Sequence, residues 1–506
     1  MELEKKIAQS ICIEVRMPEL DSEEKINEIK ENLKKYQWGS IILFDGEIES
    51  CHKLINELQE ISDIPLFVCA DLEKGAGQHF KGATDIPSNM AIGATDNYDL
   101  AYKAGKITAQ EAKEIGLNVI FSPSIDVNNN HDNPIINIRS FGEIPQDVAD
   151  FGQAFISGVM AENVIATPKH FPGHGDTSID SHVSTPIIKK SKSELNKTEL
   201  LPFKQIIDKT DALMTAHIIV TSLDKKYPAT ISKEIITGLL RNTYKFDGLI
   251  FTDALMMGGI TEEKSYESMA YIAGCDILLM PPNPIKALND IVELVNKGEI
   301  SLEHIDAIYN RILKYKERYI DKSFKSNLKR IKTERNITIA KSIAQNAVTK
   351  IKQKDKLVFD PLKTVHIILD QDDEPEKYNT LKNLMSEKGI ETIIINSEIS
   401  EPELEIIENK INDKDNVILS YFSFLKAWKK HIYPENFVIS WLESYLLNNK
   451  KVFVVAFSNP YLMKKVNGIK NYFCTFSDSE YSQEAITKVL FDNVPATGIS
   501  PIDLSS

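Results

Sequence analysis

The sequence predicts an α/β protein in which an N-terminal (β/α)8 barrel of the TIM type is followed by a smaller C-terminal α/β sandwich. Three observations support this prediction. Short apolar runs alternate with longer amphipathic stretches over the first part of the chain, and many of these runs end in polar side chains. The chain of 506 residues is too long for one ordinary core, so two or more domains are expected.

Eight short apolar runs are the candidate barrel strands, because segments of helical length separate them. The runs lie at 11–15, 40–44, 66–70, 118–122, 164–168, 212–216, 248–252 and 276–280. The helix-like segments include 22–36, 50–61, 98–115, 146–162 and 192–207. Alternation of strands and helices favours a parallel sheet, and eight such strands predict a closed barrel.

Polar side chains follow several of these runs. They are Asp71, Ser124, Asp126, Lys169, His170, His217 and Asp253. The carboxyl ends of barrel strands converge on one face, where active sites are built. Side chains as distant in sequence as Asp71 and Asp253 are therefore predicted to line one pocket.

The remaining chain divides into a linker and a second domain. We assign residues 1–320 to the barrel, 321–356 to a helical linker and 357–506 to the sandwich. Its candidate strands lie at 364–369, 391–396, 416–421, 451–457 and 471–476, with helices at 376–387 and 403–411. This part contains no G-x-G-x-x-G or P-loop pattern, so it predicts no nucleotide site.

Composition argues against several classes of partner. The formal charge of −14 disfavours nucleic acid and anionic membranes and favours a neutral or cationic small substrate. The five cysteines are scattered and are expected to be reduced core residues. Because we find no signal-type segment and no apolar run of about eighteen residues, we expect a cytoplasmic protein that does not span a membrane. The oligomeric state is not determined by the sequence.

The segment 169–182 concentrates three of the ten histidines within a loop that also holds two aspartates, a lysine and two glycines. His170 and His174 are four residues apart, which suggests zinc, but Pro172 and the glycines disfavour the helix that would put both rings on one face. No H-E-x-x-H pattern occurs. We therefore expect an active site without a metal or another cofactor.

Two further patterns suggest proton transfer or nucleophilic chemistry. Asp180 and His182 point the same way in an extended segment, so the carboxylate can hold the imidazole tautomer; alternatively, Asp180 caps a turn and His182 merely packs. Asp253 ends a buried apolar strand, where it can serve as nucleophile or general base, or as the N-cap of the next helix. Arg139 can bind hydroxyls or a carboxylate through its planar donors, or form a plain surface salt bridge.

The segment 169–182 and the shorter segments around Asp71, Asp126, Arg139, His217 and Asp253 resemble glycoside hydrolase family 3, in particular its bacterial β-N-acetylglucosaminidase branch. The resemblance covers residues 1 to about 320, and the second domain matches the family's layout only in outline. Its hallmark is the string K-H-F-P-G-H-G-D-T-S-I-D-S-H at 169–182. The other matching segments lie at 71–75, 82–84, 90–94, 123–127, 133–136, 139–142, 214–217 and 252–257.

The resemblance implies a role for each matching residue. It makes Asp253 the nucleophile and His182 the general acid/base, with Asp180 as the partner of His182. The residues that it assigns to substrate binding are Asp71, Arg139, Lys169, His170 and His217. One departure concerns His79, which stands where the family's arginine is expected. We expect His79 to bind substrate there, with contacts to the far sugar hydroxyls that differ from those of the arginine.

The activity implied by the resemblance is that of a retaining exo-β-N-acetylglucosaminidase. It would remove terminal GlcNAc from peptidoglycan-derived saccharides or chitooligosaccharides, as in cell-wall recycling. Three alternatives stay open at this point. They are a retaining phosphorylase, which would use phosphate in place of water, a β-glucosidase of the same family, and a sugar-binding protein that has lost catalysis.

Overall fold

The computed structural model describes residues 2–177, 185–256, 265–423 and 433–505. Within these residues, eight parallel strands form a closed barrel. In chain order the strands are β1 (Ile11–Arg16), β2 (Ser40–Phe44), β3 (Phe67–Ala70), β4 (Val119–Ile120), β5 (Ile165–Ala166), β6 (Ala212–Met214), β7 (Leu249–Phe251) and β8 (Leu278–Leu279). Bridges between Phe171 and Thr215 and between Phe251 and Ile277 close the ring. The predicted (β/α)8 barrel is confirmed.

The strands form where they do because their side chains are apolar on both faces. Four of the five residues of β2 are buried, and all four of β3 are buried. Such continuous apolar runs suit a parallel sheet covered by helices, with the barrel interior as a second core.

Helices of the barrel domain surround these strands. They are Leu3–Ala8, Glu23–Tyr36, Ile48–Glu60, Asn89–Ala94, Tyr98–Ile115, Pro145–Met160, Lys192–Lys197, Leu200–Ile206, the π-helix Glu234–Thr243, Tyr266–Ala273, Pro284–Asn296 and Leu302–Tyr319. The segment 192–207, predicted as one helix, is two helices. Thr198 leaves the helical conformation between them, and Pro202 has no N–H to donate to the Thr198 carbonyl group.

The described part of the second domain forms a six-stranded sheet. Its strands are β9 (Thr349–Gln353), β10 (Thr364–Asp370), β11 (Glu391–Ile395), β12 (Asn416–Phe422), β13 (Lys451–Ala456) and β14 (Asn471–Cys474). Their spatial order is β9-β14-β13-β12-β10-β11, and β9 is the antiparallel edge strand. The predicted helical linker 321–356 is therefore only partly helical, because it contains β9 after the helix Glu334–Ala347.

Helices cover this second sheet. They are Asn379–Glu387, Glu401–Lys410, Asn436–Trp441, the π-helix Leu442–Leu446, Leu447–Asn449 and Glu480–Phe491. In the parts of the chain that are described, no helix combines the length and the apolar character needed to cross a membrane.

The second domain lies against the carboxyl-end face of the barrel. Asn128, which follows β4, donates from Nδ2 to the Tyr461 hydroxyl over 2.6 Å. Lys74, which follows β3, has its Nζ 3.3 Å from Asp478 Oδ1. A shared apolar cluster joins Met90 and Ala91 of the barrel domain to core residues of the second sheet. Loops of the second domain consequently border the face where the strand ends converge.

Candidate active site

A cavity of about 750 Å³ opens at the carboxyl ends of the barrel strands. Asp71 follows β3, Lys169 and His170 follow β5, and Asp253 follows β7; all four side chains line the cavity, together with Arg139. In the eight-stranded ring of described strands, β3 and β7 lie opposite each other. Asp71 and Asp253 therefore belong to opposite walls of one pocket.

A buried ionic network forms the wall that contains Asp71. The Lys169 Nζ atom lies 2.7 Å from Asp71 Oδ1 and 2.7 Å from Glu73 Oε1, and only 3% of the lysine side chain is exposed. Arg139 binds Glu73 through two parallel contacts, Nε to Oε2 and Nη2 to Oε1, both 2.8 Å long. Paired hydrogen bonds of this kind fix both side chains in one orientation.

Burial and pairing set the charges of this network. Burial lowers the pKa of Lys169, but Asp71 and Glu73 outweigh that effect, so the pKa is raised. Burial also lowers the pKa of Arg139, but Glu73, Asp126 and Asp71 together outweigh that effect, so the pKa is raised. Burial raises the pKa of Glu73, yet Arg139 and Lys169 hold it well below its usual range. Lys169, Arg139 and Glu73 are therefore ionised at neutral pH, and the two cations hold their N–H donors in fixed positions.

Asp126 lies outside the described cavity lining and positions His170 and His174 through hydrogen bonds. Its side chain is fully buried, and its Oδ2 atom lies 2.7 Å from His170 Nδ1. The backbone N–H of His174 donates to Oδ1 over 2.6 Å, and the Ser124 hydroxyl donates to Oδ2 over 2.9 Å. Burial raises the pKa of Asp126, but His170 and His174 outweigh it and lower the pKa to about 2. A permanent carboxylate thus orients the imidazole of His170.

His170 and His174, the two histidines in the described part of the loop after β5, have different surroundings. His170 has its second ring nitrogen, Nε2, 3.2 Å from Arg139 Nη2, so both ring nitrogens are engaged by protein groups. The Nδ1 atom of His174 pairs with the Thr177 hydroxyl over 2.9 Å, and its buried Nε2 has no hydrogen-bond partner among the described residues. Burial and the neighbouring His170 lower the pKa of His174 to about 4. His174 is therefore a neutral ring on the cavity wall.

Asp253 stands apart from this network on the opposite wall. Its Oδ1 atom accepts the N–H of Ala254 over 2.8 Å. Burial raises its pKa, but His170, His217, the Ala254 N–H and Lys169 together outweigh burial, so the pKa is lowered. The group is a carboxylate at neutral pH, as a nucleophile or a base requires.

His217 contacts the residue that follows Asp253 and is absent from the described residues that line the cavity. Its Nε2 atom is 3.2 Å from the Ala254 carbonyl oxygen, and its Nδ1 atom is 3.1 Å from the Tyr266 hydroxyl. The expected substrate-binding role of His217 stays a prediction, and its contacts favour a positioning role for the segment that carries Asp253.

His79, the residue in place of the family's arginine, does line the cavity. Its Nδ1 atom lies 2.8 Å from Asp45 Oδ1, and its ring meets Phe44 edge to face. Asp180 and His182 lie outside the described residues, so their acid/base role stays a prediction.

Sequence reasoning did not name several residues of the site. Glu73 is in the matching segment 71–75, and that membership is the signal that could have identified it; Asp126 was predicted only as a polar residue at a strand end, with no role assigned. Glu374, Lys377, Ser458 and Asp478 of the second domain also line the cavity, but no pattern in the sequence marks them. Their place depends on how the two domains pack.

The chain is similar in sequence to known proteins over its N-terminal part. Residues 2–315 match the sequence model of the family described as glycosyl hydrolase family 3 N terminal domain. Beta-hexosaminidase A of Pseudoalteromonas piscicida is 37% identical over 287 residues, which are 50% of this chain and 47% of that protein. Beta-hexosaminidase of Tolumonas auensis is 34% identical over 280 residues, or 53% of this chain and 81% of that protein. The chain thus spans less than half the length of the first of these relatives.

Solved structures resemble the whole chain. A glycoside hydrolase family 3 beta-N-acetylglucosaminidase from Paenibacillus sp. str. FPU-7 has a TM-score of 0.89 at 26% identity, and the match covers 100% of this chain and 99% of that one. A beta-glucoside phosphorylase has a TM-score of 0.88 at 24% identity, with 100% and 94% covered. At that identity, the second likeness concerns the fold alone.

Proposed function

Because this chain belongs to glycosyl hydrolase family 3, we propose that it is a retaining exo-β-N-acetylglucosaminidase that removes terminal β-linked GlcNAc. The observation that carries the proposal is the division of the cavity into two walls. The carboxylate of Asp253 lies on one wall, and the buried network of Lys169, Glu73 and Arg139 lies with Asp71 on the other. Relatives named beta-hexosaminidase support GlcNAc as the sugar.

The proposed first step is attack by Asp253 on the anomeric carbon. Its Oδ1 atom is held by the Ala254 N–H, so we assign the attack to Oδ2. A new bond forms between Oδ2 and C1 while the bond from C1 to the leaving oxygen breaks, through an oxocarbenium-like transition state. The depressed pKa of Asp253 keeps the attacking group ionised at neutral pH.

Proton transfer is proposed to fall to His182, with Asp180 as its partner. In the first step the imidazolium would donate its proton to the leaving oxygen; in the second, the neutral ring would take a proton from water as that water attacks C1. A histidine suits both tasks because its ordinary pKa of about 6.5 is near neutral pH. Support for these two residues comes from the family string at 169–182.

Substrate binding is proposed to use the opposite wall. Lys169 and Arg139 present fixed cationic donors, and Asp71 presents an acceptor, which together suit the hydroxyl groups of a pyranose. His170, oriented by Asp126, completes this set. We further propose that natural substrates are saccharides derived from peptidoglycan or chitin, and that the enzyme acts in the cytoplasm.

The proposal is tested by a panel of 4-nitrophenyl glycosides, GlcNAc against glucose, assayed with and without phosphate. We expect turnover of the GlcNAc glycoside that phosphate does not change. Faster turnover of the glucoside would favour a β-glucosidase, and phosphate-dependent formation of GlcNAc 1-phosphate would favour the phosphorylase.

The nucleophile assignment has its own test, Asp253→Asn. This change removes the attacking carboxylate, so kcat should fall at least about 10³-fold. Asp247→Asn is the matched control, because this carboxylate is 73% exposed and lies at the other end of β7. Full activity of the Asp253→Asn protein would contradict the assignment of Asp253 as the nucleophile.

A further inference from the structure

In the second domain, the carboxyl ends of the parallel strands face the cavity at the barrel's strand ends. Four described side chains of this domain line the candidate active site, and each of them follows a parallel strand. They are Glu374 and Lys377 after β10, Ser458 after β13 and Asp478 after β14. Ligands of parallel α/β sheets bind at the carboxyl ends of the strands. The cavity therefore lies between two faces that are both suited to binding a ligand.

Asp478 connects these two faces through Lys74 of the barrel domain. Its Oδ1 atom lies 3.3 Å from Lys74 Nζ, and 7% of the Asp478 side chain is exposed, against 35% of the Lys74 side chain. Burial raises the pKa of Asp478, but Lys74, Lys377 and the backbone N–H of Asp478 together outweigh burial, so the pKa is lowered. Asp478 in turn raises the pKa of Lys74, although burial lowers it. At neutral pH the pair is therefore a carboxylate and an ammonium group that face each other across the domain interface.

The backbone at Lys74 is fixed, and the ammonium group keeps donors for a ligand. The Lys74 N–H donates to Gln78 Oε1 over 2.9 Å, and the Lys74 carbonyl group accepts the N–H of Ile86 over 2.8 Å. An ammonium group has three N–H donors. Among the described residues, Asp478 supplies the one hydrogen-bond acceptor of Lys74 Nζ. Lys74 is thus a firmly held cation that can bind a ligand in the cavity as well as Asp478.

Lys74 lies on the wall of the cavity opposite Asp253. It follows β3, as Asp71 does, whereas Asp253 follows β7 on the other side of the barrel. Lys74, Lys377 and Asp478 also line a neighbouring cavity of about 1020 Å³, so they belong to the partition between the two cavities. In the proposed function C1 of the bound sugar lies at Asp253, and the ring extends toward this partition. C4 is the ring carbon directly across from C1, so the 4-hydroxyl is the group directed at the partition.

We propose that Lys74, held by Asp478, donates a hydrogen bond to the 4-hydroxyl of the bound sugar and thereby selects GlcNAc over its C4 epimer, N-acetylgalactosamine. The equatorial 4-hydroxyl of GlcNAc continues the line from C1 to C4, whereas the axial hydroxyl of the epimer points to a face of the ring. Lys74 contacts the substrate, and Asp478 acts through Lys74 as a positioning residue. The inference rests on the proposed function, because it requires C1 at Asp253, and it assigns part of the sugar specificity to the second domain.

The test compares 4-nitrophenyl N-acetyl-β-glucosaminide with 4-nitrophenyl N-acetyl-β-galactosaminide. We expect the natural protein to hydrolyse the glucosaminide with the higher kcat/KM. Lys74→Met removes the donor and keeps an unbranched side chain, so kcat/KM should fall at least about 10-fold for the glucosaminide and less than about 3-fold for the galactosaminide. Lys81→Met is the control and should change neither value, because Lys81 pairs with Glu47 and lines the neighbouring cavity but is absent from the described lining of the active site. Equal kcat/KM values in the natural protein, or equal losses in Lys74→Met, would overturn the inference and leave the proposed function intact. Hydrolysis of neither glycoside by the natural protein would overturn both.

Asp478→Asn tests the contribution of the second domain. The amide keeps the size of the side chain and removes the charge that holds Lys74, so the ratio of kcat/KM for the glucosaminide to that for the galactosaminide should fall at least about 3-fold. In the Lys74→Met background the same change should alter this ratio less than about 2-fold, because Asp478 then has no barrel lysine to position. Thermal unfolding checks that each variant is folded, and Lys377 remains as a cation near Asp478 when Lys74 is replaced. An unchanged ratio in the natural background, or an equal fall in both backgrounds, would contradict the positioning role.

Discussion

Asp126 organises the candidate active site although it is absent from the described residues that line the cavity. Its two oxygens accept hydrogen bonds from the His170 ring, from the backbone N–H groups of His170 and His174, and from Ser124. A carboxylate suits this place because it accepts hydrogen bonds at both oxygens, whereas an amide has one accepting oxygen and a donating NH₂ group. At the scale of single residues, the site thus depends on a buried charge that does not touch the substrate.

Asp126→Asn is expected to lower kcat/KM for the aryl GlcNAc substrate about 10²-fold, because the amide cannot satisfy all four donors and the His170 ring loses its fixed orientation. Steady-state kinetics per folded molecule, with folding checked by thermal unfolding, measures the effect. Ser124→Ala removes one donor and keeps the carboxylate, so its loss should stay below about 3-fold. If the Asp126→Asn protein stays within about 2-fold of the natural activity, His170 does not need the Asp126 carboxylate to hold its orientation.

The loop after β5 is the element on which the site depends most. A Cβ atom on Gly175 would lie 1.6 Å from the carbonyl oxygen of Val127, so the loop can approach the neighbouring segment only with glycine there. Asn133 ties the two segments further, since its Nδ2 donates to the His174 and Gly175 carbonyl groups over 3.0 and 2.9 Å. Because these two segments pack closely, the His174 N–H is positioned to donate its hydrogen bond to Asp126.

Gly175→Ala is therefore expected to destabilise the fold by about 3 kcal/mol and to lower activity further by displacing the loop. Gly238→Ala is the matched control: a Cβ atom there would meet only the Lys233 carbonyl oxygen, at 3.8 Å, so the same substitution should cost little or stabilise. Chemical unfolding of both variants gives the comparison. Equal stability of the Gly175→Ala and Gly238→Ala proteins would mean that the backbone near Val127 moves away from the added methyl group at little cost.

At the scale of the whole molecule, Lys316 joins the last barrel helix to the start of the chain. The side chain is almost completely buried, and its Nζ donates to the Gln9 side chain and to the Gly39 carbonyl oxygen over 2.7 Å each. Burial lowers the pKa of Lys316 to about 7. An unfolded chain restores the ordinary value of about 10.4.

This difference predicts how stability depends on pH. Between about pH 7 and 10 the unfolded chain holds a proton on Lys316 that the folded chain does not, so this group's contribution to the free energy of unfolding rises with pH, by at most about 1.4 kcal/mol per unit. Below pH 7 both states are protonated and the contribution is constant. Lys316→Met should lose this rise.

Urea unfolding of the natural protein and of Lys316→Met, at pH 6 to 9, checks this prediction. The difference in unfolding free energy between them should be constant up to about pH 7 and then grow in favour of the natural protein. Lys314→Met, an exposed position on the same helix next to Asp247, controls for removal of a lysine and should follow the natural protein. A difference that does not change over this range would contradict the lowered pKa.

The sequence by itself determined the barrel and the chemistry at its strand ends. Strand order follows from apolar runs separated by helices, and parallel strands necessarily bring their carboxyl ends to one face; Asp71, Lys169, His170 and Asp253 line one cavity for that reason. These signals come from residues that are close together in the sequence, so they can be recognised before the fold is known. The acid/base pair of Asp180 and His182 stays a prediction from the family string.

Only the tertiary structure decided what supports and surrounds those residues. The pairing of Glu73 with Arg139 and the contact of His217 with Ala254 join residues from different strand ends, and each depends on distances that no spacing in the sequence encodes. The same holds for the second domain: Lys377 and Asp478 reach the cavity because the two domains pack face to face. Contacts between distant segments come from the packing of whole elements, so their partners cannot be inferred from local pattern.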